Sequence, residues 1–256
     1  PPPPPPPPLF FFTEKSAFAI GVLLVVWEMC IRDRINTSME IQSLMENIVN
    51  RATVYERHVP HKEFFTDTSG TIEYTLNSLW HRDVELESFS NGFNLAVGCS
   101  HTFGLGVQNP WPSYFVNTYN AGVPGATVYD MIDIAFAIYE QKRFNRLLFF
   151  APHGERMVVY KNGKQEALMP YSEHFDEFKS IDLDTKMYYN SRSVNHLLAF
   201  CKSENIDLQI FNNNSIGFLK EHKDLIVDKG ADGVHYGEET HKNFAGLFNV
   251  KRKDTI

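Results

Sequence analysis

Two short stretches of this 256-residue chain hold the residue types that acyl transfer requires. Ser100 lies in Gly98-Cys99-Ser100-His101-Thr102-Phe103-Gly104, directly after an apolar run. Asp232 and His235 lie three residues apart in Asp232-Gly233-Val234-His235, before the last helix-like segment. A serine hydroxyl is a weak nucleophile at neutral pH and needs an adjacent base, usually a histidine that a carboxylate orients. We therefore predict that Ser100 is a nucleophile, His235 its base and Asp232 the orienting carboxylate.

Each stretch taken alone also fits a purely structural explanation. Small residues after a strand commonly form a tight turn. Thr102 stands where the Gly-x-Ser-x-Gly elbow of α/β-hydrolases would need its second glycine. Aspartate and histidine are both common in surface loops. The catalytic interpretation therefore depends on the two stretches occurring together.

From Phe93 onward the sequence alternates between strand-like and helix-like segments, which must position these side chains. Strands are predicted at residues 93–97, 147–151 and 208–211, with a hairpin of residues 158–160 and 165–168 around Asn162-Gly163. Helices are predicted at residues 127–144, 193–202 and 241–248, and a turn at residues 120–125. Continuous apolar strands separated by helices predict an α/β fold with a mostly parallel sheet covered on both faces.

The residues before Phe93 have a different pattern. Residues 39–54 have the spacing of an amphipathic helix, with an apolar face of Ile41, Leu44, Met45, Ile48 and Val49. Residues 57–90 are polar and turn-rich, with one strand-like alternation at residues 71–76. We expect residues 35–90 to form this helix and an extension that wraps a main domain of residues 91–250.

Residues 1–34 are unlike the rest of the chain. Eight prolines precede three phenylalanines and an apolar stretch of 11 residues, which is too short to span a membrane. A cytosine homopolymer translates as polyproline, and the letters VLLVVWEMCIRDR resemble translated adapter sequence. We expect this segment to be foreign to the folded protein, which would then be cytoplasmic. The alternative is a degenerate signal or anchor, which would make the protein an exported one.

The composition excludes several classes of protein. With 43% hydrophobic and 21% charged residues, the chain has the composition of a soluble globular protein rather than a disordered or polytopic membrane protein. A net charge of −7 without a basic tract argues against nucleic-acid binding. The three cysteines have neither disulfide-framework nor zinc-site spacing, and glycine-rich phosphate loops are absent from the sequence. We therefore expect no metal and no cofactor.

Three blocks of the sequence together resemble the SGNH (GDSL-type) esterase and lipase superfamily. Residues 98–104 look like its nucleophile block, and Asn120-Ala121-Gly122-Val123-Pro124-Gly125 resembles its second block. Asp232-Gly233-Val234-His235 matches its terminal Asp-x-x-His block, the most specific of the three. The blocks occur in family order, and the resemblance covers residues 93–248. The close spacing of Asp and His argues against an α/β-hydrolase.

The resemblance implies a three-layer α/β/α sandwich of the flavodoxin-like SGNH type, with a mostly parallel sheet of about five strands. It implies hydrolysis of a carboxylic ester through an acyl-enzyme, with the backbone amides of Ser100 and Gly125 in the oxyanion hole. The substrate would be an O-acylated carbohydrate or a short-chain lipid ester. The alternatives are an O-acyltransferase on the same scaffold, or a catalytically silent carbohydrate-binding or structural domain.

The sequence departs from the family pattern at two places. Cys99 stands where the family has an aspartate before the nucleophile. The third family block supplies an asparagine side chain to the oxyanion hole, whereas residues 152–156 read Pro-His-Gly-Glu-Arg. By register His153 is nearest to that position, and we predict that it donates to the oxyanion. Arg156 is a second possible donor, and it could instead bind a substrate carboxylate or pair with Glu155.

Other candidates for chemistry are weaker. His58 and His61 lack a cysteine or carboxylate companion at ligand spacing, so we expect a surface loop there. We expect His241 to face solvent on the last helix. Three aromatic residues near a strand–helix junction could line an acyl or sugar pocket, but such residues more often belong to the core: Trp111, Tyr114 and Phe115.

Overall fold

The computed structural model describes residues 41–51, 64–66, 72–152, 156–161, 164–168, 175–212 and 222–251, all within the unit Ile41–Ile256. The predictions for residues 1–34, for His58 and His61, and for His153 lie outside the described residues. The strands are β1 (Phe64–Thr66), β2 (Glu73–Thr75), β3 (Phe93–Gly98), β4 (Thr118–Gly122), β5 (Phe144–Ala151), β6 (Met157–Lys161), β7 (Lys164–Leu168) and β8 (Asp207–Asn212). The α-helices are α1 (Ile41–Arg51), α2 (Ser100–Phe103), α3 (Val128–Gln141), α4 (Phe175–Ser180), α5 (Leu183–Ser203) and α6 (Glu238–Phe244).

A four-stranded parallel sheet lies at the centre of the fold, in the order β4-β3-β5-β8. This sheet confirms the predicted α/β class, although the described residues contain four of its strands where the resemblance implies a fifth. In chain order the central strands are β3, β4, β5 and β8. Strand β4 lies on one side of β3, and β5 and β8 lie on the other, so the direction in which strands are added reverses beside β3. Open sheets of this kind place their ligand sites at the carboxyl edge, next to the reversal.

Alternate side chains of the central strands face two separate hydrophobic clusters. In β5, Leu147 and Phe149 belong to one cluster, whereas Leu148 and Phe150 belong to the other. Helices α1, α3 and α5 contribute to the first cluster, and α6 contributes to the second. Because successive strand side chains point to opposite faces, helices cover both faces of the sheet. None of the described helices is long and apolar enough to cross a membrane.

The first helix, the hairpin and strand β2 follow the sequence pattern. All five apolar residues predicted for the face of α1 are buried. The predicted hairpin forms β6 and β7, which pair antiparallel. Strand β2 lies within residues 71–76, with Tyr74 fully buried between the exposed Glu73 and Thr75. Tyr74 belongs to the same cluster as the residues of β3 and β5, so this part of the extension packs against the sheet.

Two predicted boundaries near the sheet are wrong. The helix predicted at residues 127–144 ends at Gln141, and Phe144 pairs with Phe93 at the start of β5. The turn predicted at residues 120–125 starts only at Val123, because residues 120–122 pair with residues 96–98 of β3. In both places pairing across the sheet overrides the local preference of the sequence.

Two helices begin earlier than predicted because polar side chains accept hydrogen bonds from the N–H groups of their first turns. Asp182 accepts a hydrogen bond from the Thr185 backbone N–H, so α5 starts at Leu183 rather than at residue 193. Asp228 accepts the backbone N–H groups of Glu239 and Thr240, so α6 starts at Glu238 rather than at residue 241. Helix α6 also ends at Phe244, before the predicted residue 248.

Candidate active site

Ser100 begins α2 at the carboxyl end of β3. This helix packs directly onto the ends of two neighbouring strands, where Gly98 and Gly122 lie opposite each other in the sheet register. A Cβ atom on Gly98 would overlap the Thr102 side chain, and one on Gly122 would overlap the backbone of Phe103. The absence of both side chains therefore allows the close approach that holds Ser100 at this edge of the sheet, beside the reversal of strand order.

We expect Gly122→Ala to lower the free energy of unfolding by about 3 kcal/mol, since a methyl group forced into packed structure must displace its neighbours. The group that it meets is main chain, which cannot rotate away as a side chain can. Gly233→Ala is the comparison, because its methyl group meets open space and only the positive φ of 70° opposes it. That conformation costs about 1 kcal/mol. Urea unfolding of both variants measures the difference, and equal losses would contradict the packing argument.

Asp232 and His235 form a hydrogen-bonded pair. His235 Nδ1 lies 2.5 Å from Asp232 Oδ2, and Asp232 Oδ1 accepts the backbone N–H groups of Val234 and His235. Burial acts to raise the pKa of Asp232, but these hydrogen bonds outweigh it and hold the pKa below its ordinary value. An ionised carboxylate can only accept, so Nδ1 carries the ring proton and Nε2 presents a lone pair in the neutral ring.

The loop that carries this pair is docked on the segment that follows α2. The backbone N–H of Ala231 donates to the carbonyl of Gly106 over 2.8 Å. His101, next to the candidate nucleophile, meets the His235 ring edge-on with the ring centroids 5.3 Å apart. The same His101 ring stacks on Tyr236 with a centroid separation of 4.4 Å. The nucleophile block and the Asp-x-x-His block therefore meet at the carboxyl edge of the sheet.

The Ser100 hydroxyl itself is turned toward the neighbouring thiol. It donates to Cys99 Sγ over 3.9 Å, and both residues are buried. Within the described residues, no hydrogen bond joins it to the His235 ring. Rotation about the Ser100 Cα–Cβ bond, between staggered rotamers, is the movement that redirects the hydroxyl.

The backbone amides of Ser100 and Gly125 are the two that the sequence predicts for the oxyanion hole. Neither the Ser100 nor the Gly125 N–H donates a hydrogen bond within the described residues. Gly125 has a φ of 81°, and its turn is tied to the end of β3 by a hydrogen bond from Val123 N to the Gly98 carbonyl. A backbone N–H that no protein group accepts can donate to an oxygen of a bound ligand.

Of the two candidates for the third oxyanion donor, only Arg156 is described. It is 7% exposed, and its Nη1 donates to the carbonyl of Ala126 over 3.2 Å. Its own carbonyl accepts from the Asn190 side chain on α5. The guanidinium therefore lies beside the turn that carries Gly125, where its charge also favours a nearby oxyanion.

The prediction that His241 faces solvent is wrong. His241 is fully buried, and its Nδ1 accepts the backbone N–H of Trp111 over 3.1 Å. Burial, together with the nearby Arg82 and His235, lowers the pKa of His241 to about 3. The His241 ring also meets that of Phe244, with the ring centroids 6.4 Å apart. Trp111 packs in the same core cluster as Phe115, so these aromatics are core residues rather than an acyl pocket.

Sequence reasoning missed three residues that hold the segment after α2. Arg82 and Tyr74 contact it from the extension, and Glu238 accepts the backbone N–H groups of Gln108 and Asn109. Each contact joins residues at least 22 positions apart. No local spacing could therefore reveal them.

In the part of the chain that the structure describes, no group of three or more His, Cys, Asp or Glu side chains is placed to hold a metal ion. Comparison with known protein families finds no match to the chain, and no curated protein matches it. What the site can do is therefore decided by its own residues: a buried hydroxyl, an Asp-oriented imidazole and two amides that donate to none of the described residues.

Proposed function

We propose that this protein is a serine ester hydrolase of the SGNH type, with Ser100, His235 and Asp232 as its triad. The observation that carries the proposal is the hydrogen bond between Asp232 and His235, in a loop docked beside the helix that begins at Ser100. The strand order supports the flavodoxin-like form of the fold, because it places the nucleophile next to the reversal.

The proposed reaction begins when Ser100 Oγ attacks the ester carbonyl carbon and passes its proton to His235 Nε2. The π electrons of the carbonyl move onto its oxygen, which the amides of Ser100 and Gly125 receive. Collapse of this oxyanion breaks the bond to the leaving alcohol, which takes the proton from Nε2. Water then repeats the sequence on the acyl-enzyme, releasing the carboxylic acid and the free hydroxyl of Ser100.

His153 is the residue that we propose as the third donor of the oxyanion hole. Arg156 is the alternative donor, and its guanidinium bonds the Ala126 carbonyl. The substrate class that we propose is an O-acyl carbohydrate or a short-chain lipid ester. These reaction steps use only the side chains, the two amides and water.

A catalytically silent carbohydrate-binding domain is the second candidate. The observation that favours it is the hydrogen bond of the Ser100 hydroxyl to Cys99 Sγ rather than to the His235 ring. On this alternative, the pair Asp232 and His235 would bind a ligand or stabilise the loop without taking up a proton from serine.

One experiment separates the two candidates. A fluorophosphonate probe should label Ser100, since attack by Oγ forms an O–P bond and releases fluoride only where a base removes the hydroxyl proton. We expect a mass shift on the peptide that contains Ser100, together with turnover of a chromogenic acetate or butyrate ester. Ser113→Ala is the control and should leave labelling unchanged, because the Ser113 hydroxyl donates to the Pro110 carbonyl and bonds no histidine among the described residues. If the probe does not label Ser100 and no ester is hydrolysed, the result favours the silent domain.

A further inference from the structure

The Arg82 guanidinium binds the main chain at the end of α2. Its Nη1 donates to the carbonyls of Gly104 and Val107 over 2.7 and 2.9 Å, and more weakly to that of Phe103 over 3.4 Å. Its Nη2 donates to the Gln108 carbonyl over 2.7 Å. Apart from that of Phe103, these carbonyls belong to the segment that follows α2, and Arg82 binds them from a distant part of the chain.

Tyr74 completes this contact from the neighbouring strand β2. Its hydroxyl accepts the backbone N–H of Gly106 over 2.7 Å, and its ring lies 4.6 Å below the Arg82 guanidinium carbon. Tyr74 is fully buried, and Arg82 keeps its positive charge because burial lowers its pKa only to about 10. The two side chains hold residues 103–108 from one direction.

The same segment supports the candidate base from the other direction. The Gly106 carbonyl accepts the Ala231 N–H, next to Asp232 in the loop of His235. Glu238, at the start of α6, accepts the backbone N–H groups of Gln108 and Asn109. Gly106 is therefore bound on its N–H by Tyr74 and on its carbonyl by the loop that carries the base.

We propose that Arg82 and Tyr74 are positioning residues, which set the separation of Ser100 and His235 by fixing the segment between them. The inference rests on the proposed hydrolase function, and it gives the extension before residue 91 a role in catalysis. Reactions that depend on a near-attack geometry lose about 100-fold in rate when the reacting groups move by about 1 Å. Movement of residues 103–108 shifts the helix of the nucleophile against the loop of the base.

Arg82→Met, Arg82→Lys and Tyr74→Phe test this proposal in the full chain. We expect Arg82→Met to lower kcat about 100-fold while KM changes by less than about three-fold, because the oriented reaction is lost and ground-state binding is not. Arg82→Lys should recover little of the loss, since one ammonium group cannot span carbonyls that a planar guanidinium bridges. Tyr74→Phe removes one hydrogen bond and should lower kcat about ten-fold, about 1.4 kcal/mol.

Matched controls come from a pair of the same residue types elsewhere. Arg143 lies over the Tyr139 ring at 4.0 Å, and Tyr139 donates to Glu204. Arg143→Met and Tyr139→Phe should leave kcat within about two-fold of the unmodified protein, since neither touches the candidate site. A loss of kcat in these controls equal to that of the Arg82 and Tyr74 variants would overturn the proposal, because it would then reflect general weakening of the fold.

Hydrogen exchange at the Ala231 and Gly106 amides gives a readout that does not need activity. We expect faster exchange at both amides in Arg82→Met and Tyr74→Phe, with amides of β5 unchanged. Unchanged exchange at Ala231, together with kcat within three-fold, would overturn the proposal.

If the unmodified protein neither labels nor turns over an ester, the proposed function fails, and exchange at Ala231 alone decides whether Arg82 holds the two blocks together. If Arg82→Met does not fold, Tyr74→Phe decides.

Discussion

Ser100→Ala and His235→Ala are each expected to lower kcat for a chromogenic ester by about 10⁴-fold or more. Ser100 supplies the attacking oxygen, and His235 both removes its proton and delivers that proton to the leaving group. The double variant should be scarcely slower than either single variant, because the two side chains act as one unit. The measurement is steady-state turnover on variants whose thermal unfolding matches that of the unmodified protein.

Variants at Asp232 separate its two contributions. Asp232→Ala removes both the acceptor for the ring and the acceptor for the Val234 and His235 amides. It should cost less than loss of Ser100, because an unoriented imidazole still accepts a proton. Asp232→Asn can keep the backbone contacts through its oxygen while presenting an NH₂ group to Nδ1, which favours the unproductive tautomer. Slow turnover with a native melting transition in this variant would indicate tautomer control rather than loop disruption.

Three further variants make the assignment of the nucleophile decisive. Ser113→Ala and His196→Ala are matched controls. Ser113 bonds a backbone carbonyl. His196 lies on α5, which packs on the opposite face of the sheet from α6. Both should keep kcat near that of the unmodified protein. Cys99→Ala removes the sulfur that now accepts the Ser100 hydroxyl, so turnover should be retained or rise. If Cys99→Ala abolishes turnover and Ser100→Ala does not, the nucleophile is the thiol.

Local patterns predicted the parts of the site that depend on nearby residues. The Asp232–His235 hydrogen bond needs only a three-residue loop, so its spacing in the sequence is sufficient to suggest it. Ser100 follows the apolar strand β3 in both the prediction and the structure. The five apolar residues of α1 are all buried, because the helical period alone decides which residues share a face.

Long-range packing decided the parts that were missed. Small residues at positions 120–122 resemble a turn, but their pairing with β3 makes them the end of β4. The burial of His241 depends on Trp111, which is 130 positions away. The contacts of Arg82 with the end of α2 likewise join the extension to the main sheet. None of these pairings leaves a periodic signal, since each depends on how separate elements meet.

Acid should destabilise this protein through two buried histidines. His81 and His241 are fully buried, and burial is the main cause that lowers the pKa of each to about 3. His241 also lies near Arg82 and His235, which disfavour a further positive charge, whereas Asp228 favours it. Within the described residues, the Nε2 atom of each ring lacks a hydrogen-bond partner, so a charged ring would be poorly solvated.

The hydrogen bonds of both rings fit the neutral form. His81 Nδ1 lies 2.8 Å from the Tyr119 hydroxyl, which also accepts from the Asn77 side chain. Because burial raises the pKa of Tyr119, its hydroxyl stays protonated, and it can donate to the His81 ring or accept from it according to the tautomer. His241 Nδ1 accepts the Trp111 N–H, so protonation of this nitrogen would remove an acceptor and place two donors against each other. Protonation of His81 would give it two ring N–H groups, and within the described residues its Nε2 has no acceptor.

The sign of the pH dependence follows from these lowered values. In the unfolded chain both histidines have a pKa of about 6.5, so the unfolded state takes up protons first as the pH falls. The stability that the two neutral histidines contribute is therefore fully present above about pH 6.5, and it is lost as the pH falls from that value to about pH 3. With two protons taken up on unfolding, the slope approaches about 2.7 kcal/mol per pH unit. Between about pH 6.5 and about pH 4 the loss approaches about 7 kcal/mol, which exceeds the lower end of the typical folding free energy of about 5–15 kcal/mol.

Urea unfolding at several pH values between about 7.5 and 4.5 measures this slope directly. We expect His81→Gln and His241→Gln each to reduce the slope by about 1.4 kcal/mol per pH unit, the contribution of one proton, whatever their effect on stability at neutral pH. In the native state, the ring resonances of both histidines should not titrate above about pH 4.5, since the folded rings remain neutral there. Titration of either ring near pH 6 in the folded protein would show that the ring reaches solvent or a counter-charge. The acid sensitivity would then come from carboxylates such as Asp232 and Asp228, whose lowered pKa values place their own loss of stability below about pH 4.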